Sequence, residues 1–434
     1  MRKTHPILTA FLLFSAILFV TAPSCGADTV KIGVLYPLTG GAAAEGRELR
    51  AGAELAAEIA NNIMPVDMDM ARRGGISSLG GARIELIFMD HEGNPTLGAD
   101  LAKKLILDDK VAGIMGCYHS AVTKAVSAVC EQYGIPMINA TSTSPALTQR
   151  ELQWFWRTTP NDVTFTKDLF ELFKGLCEGK VKGVAAVPKQ QIAKLASACE
   201  KTEWGSQVSE TIDAFAKQYG FEVKKALLYA AKSPDLSSEV RSLQAAKPDA
   251  MLFACYTSDA ILMVKTLKAQ KVSAKIVWGQ DSGFEAPEFF TTLGDDVVGI
   301  LTRTVFAPKV AEVKKAAGQV NALYKVKTGH DLTGASARAF TGVQTWVEVL
   351  QKAGSTKPEA IRQAANSISI PGGQLIVPWA GIRFASGKED KGQNELGSGI
   401  IGQYQKDKAG NIVLEMIYPF DLATANMIYP FKSF

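Results

Sequence analysis

From residue 29 to residue 279, short apolar runs alternate with helix-period segments, and this alternation constrains the fold more than any other property of the chain. A strand covered on both faces reads as a nearly continuous apolar run, whereas a helix lying on it shows a 3.6-residue period. Residues 30–36, 84–89, 111–116 and 135–138 are runs of the first kind, separated by expected helices over 42–62, 95–108 and 122–133. Such a chain folds as a largely parallel sheet with helices on both faces. At 158–162 the pattern starts again. Helices over 165–178, 205–219, 235–246 and 258–270 alternate with strands over 181–187, 223–229, 250–254 and 275–279. The restart predicts a second sheet and makes 158–162 a crossing between domains. A strand over 299–306, helices over 309–328 and 336–353, and Gly-rich alternating strands over 374–378, 381–384, 399–405 and 412–418 complete the chain.

The first 27 residues read as a secretory signal peptide. Arg2 and Lys3 form a basic start, 7–20 is an apolar run too short for a comfortable membrane span, and 21–27 is small and polar. Two processing outcomes stay open: cleavage after Ala27, the preferred one, and a lipid anchor at Cys25, whose approach Ala22-Pro23-Ser24 lacks a large aliphatic residue. An exported, periplasmic location is expected either way. The remainder, 47% apolar across the sequence, suffices for two packed domains. The formal charge of +4 comes without a basic block, which excludes a nucleic-acid partner. Five cysteines follow Cys25: Cys117, Cys130, Cys177, Cys199 and Cys255. They lack metal-type spacing. Export permits a disulfide, for which Cys177 with Cys199 is the preferred pair, and five buried thiols is the competing reading. Four histidines without an HExxH-like pair leave no expected metal site or cofactor.

The site signal sits at 111–148. Two buried strands give out into hydroxyls: Ser120 after the first, and Thr141, Ser142, Thr143 and Ser144 after the second. Carboxyl ends of adjacent strands are where open α/β sheets bind small ligands. Ser120 stands where an N-cap would, so an anion there would meet the positive end of a helix. That geometry suits a carboxylate. Hydroxyls after strands also serve as caps and turns, so the cluster alone does not establish a site. His119 beside Ser120 offers no catalytic pair, because sequence neighbours rarely reach nucleophile–base geometry and no orienting acid is evident. Trp154-Phe155-Trp156 reads as core, Met64, Met68 and Met70 as a surface excursion, and Tyr36 and Phe284 as candidate pocket walls.

Several ordered motifs carry a resemblance. They are Val30-Lys31-Ile32-Gly33-Val34-Leu35-Tyr36-Pro37-Leu38-Thr39-Gly40 before a helix, Gly74-Gly75-Ile76, the loop 90–95, Gly134-Ile135-Pro136-Met137-Ile138 and Arg157-Thr158-Thr159-Pro160. Together the chain resembles, from about 30 to about 385, the type I periplasmic solute-binding proteins of ABC transporters, in their leucine/isoleucine/valine-binding branch. The resemblance implies two Rossmann-like α/β lobes with mainly parallel sheets, joined by three crossover segments. Their expected extents are 28–160 plus 304–375, and 161–303 plus 376–434. It implies an amino-acid ligand of branched-chain or related type held between the lobes by hinge closure, a membrane permease as partner, a monomer, and no catalysis. In the first lobe Tyr118, His119 and Ser120, with Thr141, Ser142 and Thr143, take the positions that hold the α-carboxylate and α-ammonium. In the second, Trp204 falls on a lid aromatic, Tyr256 on a second aromatic and Asp281 on the acid that pairs with the ammonium. The chain departs from its relatives in three places. The loop 189–203 is longer, Glu45 replaces an aromatic and either favours a basic or polar side chain or points to water, and a family cysteine pair falls on Glu92 and His119. Other readings keep the fold but bind an amide, urea or aromatic acid, or present a ligand to a sensor.

Overall fold

The computed structural model describes residues 28–434; the expected signal peptide and Cys25 lie outside the described residues. The first sheet grows from the alternation at the start of the chain. Strands β1 (Thr29–Tyr36), β2 (Arg83–Asp90), β3 (Gly113–Gly116), β4 (Met137–Asn139) and β5 (Phe155–Arg157) are ordered β2-β1-β3-β4-β5, every neighbouring pair parallel. Helices α1 (Ala43–Asn61), α2 (Pro95–Leu107) and α3 (Ser120–Tyr133) make the crossovers. The apolar runs are continuous because both faces are covered: Ile32, Val34 and Ile114 are fully buried.

After α4 (Asp162–Glu178) the second lobe follows. It comprises β6 (Lys194–Glu200), α5 (Glu203–Tyr219), β7 (Glu222–Tyr229), α6 (Ser237–Ala245), β8 (Ala250–Ala254), α7 (Thr257–Ala269), β9 (Ile276–Gly279), α8 (Pro287–Leu293) and β10 (Leu301–Thr304). The chain then returns to the first lobe through α9 (Val310–Val313), α10 (Lys315–Thr328), α11 (Gly334–Ala353) and α12 (Pro358–Asn366). The short strands β11 (Ile370–Pro371) and β12 (Gly381–Ile382) come next, before β13 (Ile400–Lys406) and β14 (Ile412–Tyr418) extend the second sheet. That sheet runs β14-β13-β10-β9-β8-β6-β7, with antiparallel pairing only on the β13 side. Helix α11 lies close on α1: a Cβ at Gly52 would come within 2.2 Å of the Ser336 carbonyl oxygen. Among the described residues no helix is long and apolar enough to cross a membrane.

Several expectations are corrected. The strand expected at 181–187 is absent, and β6 occupies Lys194–Glu200 inside the stretch read as a long loop. Its Leu-Ala-Ser-Ala-Cys sequence lacks β-branched residues, and pairing with β7 and β8 on both sides overrides that local preference. The helix expected over 309–328 breaks at Lys314, whose backbone is extended and whose ammonium donates to the Gly372 and Val377 carbonyls. Ile376, Val377, Trp379, Ile382 and Phe384 join the first lobe's core, and Gln393 bridges to Arg157. Met68 and Met70 are core residues rather than a surface excursion, because short 3-10 turns fold 69–79 back over the first lobe. Cys177 and Cys199 are not bonded; all five described cysteines are free, with Cys199 enclosed in β6.

Candidate functional site

The loop after β4 is organised by Asn139. Its side-chain oxygen accepts from the Thr141 and Ser142 N–H groups at 3.0 and 2.9 Å, and its amide donates to the Ser142 carbonyl. This Asx-type turn aims the hydroxyl run at the start of α3. Ser142 spends its hydroxyl on structure, donating to the Tyr118 carbonyl at 2.9 Å and lying 2.6 Å from Thr123 Oγ1. Thr143 Oγ1 donates to Asp162 at 2.8 Å. Thr141 Oγ1 and Ser144 Oγ are buried without a partner, and Ser120 Oγ receives only a 3.5 Å contact from the Ser144 N–H. Ser120 is the first helical residue of α3, not its cap: His119 occupies the cap position and makes no side-chain capping bond. The Tyr256 side chain meets the backbone N–H of Ser120 at the start of α3, a helix end of the kind that suits an anion.

Facing this edge is an aromatic wall from the second lobe. Tyr256, at the cap of α7, lies with ring centroids 4.5 Å from His119, 5.0 Å from Trp204 and 5.6 Å from Tyr118. Its backbone N–H donates to Glu200 at 2.6 Å. Burial, with Asp259 adding repulsion, pushes the Glu200 carboxyl up to about 8. Burial also holds the His119 imidazole well below the usual histidine range, and its Nδ1 has no partner. It is a neutral aromatic surface with no acid to orient it. Phe284 belongs to the second lobe's core, stacked on Phe253, rather than to the cleft.

The lobes meet through polar contacts. Tyr118 Oη and Ser282 Oγ are 2.6 Å apart across the cleft, and Lys124 reaches Glu203 at 3.1 Å. Tyr118, Asp281 and Ser282 all hold positive φ, at 82°, 60° and 52°. Such angles are uncommon for non-glycine residues, and buried residues that hold them are enriched at ligand clamps.

Asp281 meets a different geometry from the free ammonium partner expected of it. Both its oxygens are held by Arg338, 2.9 Å at each nitrogen, and Arg303 Nη1 lies 2.8 Å away. Burial alone would raise this carboxyl, but Arg303 and Arg338 outweigh it and hold it below the usual range. Arg338 also donates to Glu285 at 2.6 Å, and Arg303 to Asp162 at 3.2 Å. Arg303, Arg338, Asp162 and Glu285 were not among the expected site residues. The readable signals were a single arginine amid the small and apolar residues that open the 335–350 helix and another inside β10, since arginine is rarely buried without a partner. Glu45 does not point to water; it is 0% exposed on the first turn of α1 and belongs electrostatically to the same cluster.

The whole-chain comparisons agree with this architecture. The family model described as "Periplasmic binding protein" matches residues 29–393. A Leu/Ile/Val-binding protein homolog 7 from Brucella suis is 26% identical, covering 96% of this chain and 97% of its own. Among solved structures, a leucine-binding protein from Thermotoga maritima superposes with a TM-score of 0.72 at 20% identity, over 90% of this chain and 99% of that one. An ABC-transporter solute-binding protein from Rhodopseudomonas palustris, in complex with 3,4-dihydroxybenzoic acid, superposes at 0.72 with 18% identity, over 93% and 99%. With two mainly parallel α/β lobes that meet through polar contacts and a family match across most of its length, the chain belongs to the periplasmic binding proteins.

Proposed function

We propose that the protein is the exported substrate-binding component of an ABC importer. It captures a small carboxylate-bearing solute of the amino-acid class, of branched-chain or related type, by hinge closure, and hands it to a membrane permease. One observation carries this reading: buried, unpartnered hydroxyls of Thr141 and Ser144 beside the start of α3, facing Tyr256 and Trp204 of the other lobe. A carboxylate there would accept from the hydroxyls and backbone donors of the first lobe while its body packs on aromatic rings of the second. A ligand that touches both lobes stabilises the closed form, which is all that capture requires. No bond needs to be made, and the role is binding rather than catalysis. The branched-chain names of the Brucella and Thermotoga proteins are in keeping with this class.

A second reading, an aromatic acid, draws on two observations: Asp281 is already held by two arginines, and Tyr118, His119, Tyr256 and Trp204 form one aromatic surface. A thermal-shift screen against the twenty amino acids, benzoate, hydroxybenzoates, simple amides and urea separates the two. A ligand at 100 times its Kd stabilises by about 2.7 kcal/mol, a clear shift. If no member of the panel moves the melting curve, the proposed ligand class is wrong.

A further inference from the structure

Glu45 is fully buried, and neither of its carboxylate oxygens has a hydrogen-bond partner. Further polar atoms of the same cluster are also buried without a hydrogen-bond partner, among them the Tyr36 hydroxyl, Arg338 Nε, Arg303 Nε and Glu285 Oε2. The groups that act on Glu45 come from several elements: Glu48 on its own helix, Arg338 on α11, Tyr324 on α10, Tyr118 after β3, Asp281 and Glu285 from the second lobe, and Tyr404 on β13. Two guanidiniums, Arg303 and Arg338, thus serve four carboxyls once Glu45 is counted with Asp162, Asp281 and Glu285. Each of the other three is engaged through at least one oxygen. Asp281 is held by both arginines, and Asp162 by Arg303, Thr143 and Gln280. Glu285 gives one oxygen to Arg338 and keeps the other buried without a partner, so Glu45 alone of the four has neither oxygen bonded. A buried carboxylate without a partner is strongly disfavoured, so a group in this state is either protonated or awaiting a cation.

We propose that Glu45 receives a protonated nitrogen of the captured solute, so that the cleft takes zwitterionic, amino-acid-type ligands in preference to simple carboxylic acids. This rests on the reading that the cleft captures a carboxylate-bearing solute. It transfers the ammonium-pairing role from Asp281 in the second lobe to the first turn of α1. Glu45 thereby becomes the residue that separates the amino-acid reading from the aromatic-acid one. The ligand's own positive charge supplies the counter-charge that the cluster lacks, in a cleft that closure empties of water.

The test measures calorimetric affinities of the full mature chain for leucine and lysine, and for two nitrogen-free acids, 4-methylpentanoate and benzoate, in wild type and Glu45→Gln. The amide keeps the shape and removes the charge. The expected result is that wild type binds at least one of the amino acids and prefers it to the nitrogen-free acids by about 10- to 100-fold. Glu45→Gln loses that preference while its affinity for the nitrogen-free acids is kept. Equal binding of the amino acid by wild type and Glu45→Gln overturns the role of Glu45 and leaves the capture reading standing. Binding of the nitrogen-free acids alone overturns it in favour of the second reading. Failure of all four probes on protein with a cooperative melt counts against the capture reading itself. Should Glu45→Gln not fold, the wild-type preference between leucine and 4-methylpentanoate decides alone.

Discussion

Arg338→Met removes a guanidinium that α11 of the first lobe sends across the cleft. In the closed form this group makes two 2.9 Å contacts to Asp281 and one of 2.6 Å to Glu285, and it is itself 0% exposed. Truncating one partner of a buried, hydrogen-bonded charge pair costs about 2–5 kcal/mol. Two features place this case in the lower part of that range. Asp281 keeps Arg303 at 2.8 Å, and Glu285, whose carboxyl burial raises well above the usual range, can hold a proton. The expected cost is therefore about 2–3 kcal/mol. It falls on the closed form, because in an open cleft these groups face water and an exposed pair is worth little. Affinity for any solute captured by closure should then fall about 30- to 140-fold. Calorimetry with the best amino acid from the screen measures this directly, and solution X-ray scattering reports whether the liganded variant still closes. The double variant Arg338→Met/Asp281→Asn should lose much less than the sum of the single changes, since the two residues share one interaction. An Arg338→Met affinity within about twofold of wild type, with closure intact, would refute the view that this pair locks the lobes.

Three further outcomes are expected. Tyr118→Phe removes the 2.6 Å contact with Ser282 across the cleft and should weaken ligand binding by about 0.5–1.5 kcal/mol, read by calorimetry, with little change in the ligand-free melting temperature. Gly52→Ala places a methyl 2.2 Å from the Ser336 carbonyl oxygen and should lower stability by about 1–3 kcal/mol in denaturant unfolding, since α1 must move off α11. His330, hydrogen-bonded to Glu48, is raised to about 9 against burial. Because the folded value lies above the unfolded one, its contribution is complete below about pH 6.5 and is lost as pH rises through about 9. The melting-temperature gap between wild type and His330→Gln should therefore be widest near pH 6 and close above that range; a gap that widens with pH contradicts the assignment.

Much of the fold was legible because burial on both faces writes parallel strands as unbroken apolar runs, as in 30–36 and 111–116. The signal failed where neighbours rather than local preference decide. Strand β6, built of Ala, Ser and Cys, forms because β7 and β8 flank it, and Lys314 breaks a helix because two distant carbonyls take its ammonium. The candidate site divides in the same way. Hydroxyls following strand ends marked Ser120 and Thr141, and ordered motifs marked Tyr256 and Trp204, which the structure draws into one aromatic wall with Tyr118 and His119.

What the chain alone determined is therefore the periodic part: an α/β architecture with largely parallel sheets and a run of hydroxyls after the strand ends at 111–148. The tertiary structure decided which polar groups are spent and which are free. Ser142, Thr143 and Asp281 are committed to partners as far apart in sequence as Tyr118, Asp162 and Arg338, while Glu45 and Thr141 are left without any. Periodicity is a local property that each segment carries by itself. Charge pairing and hydrogen-bond satisfaction belong to a buried volume, and that volume exists only once two lobes and three distant stretches of chain have closed around it.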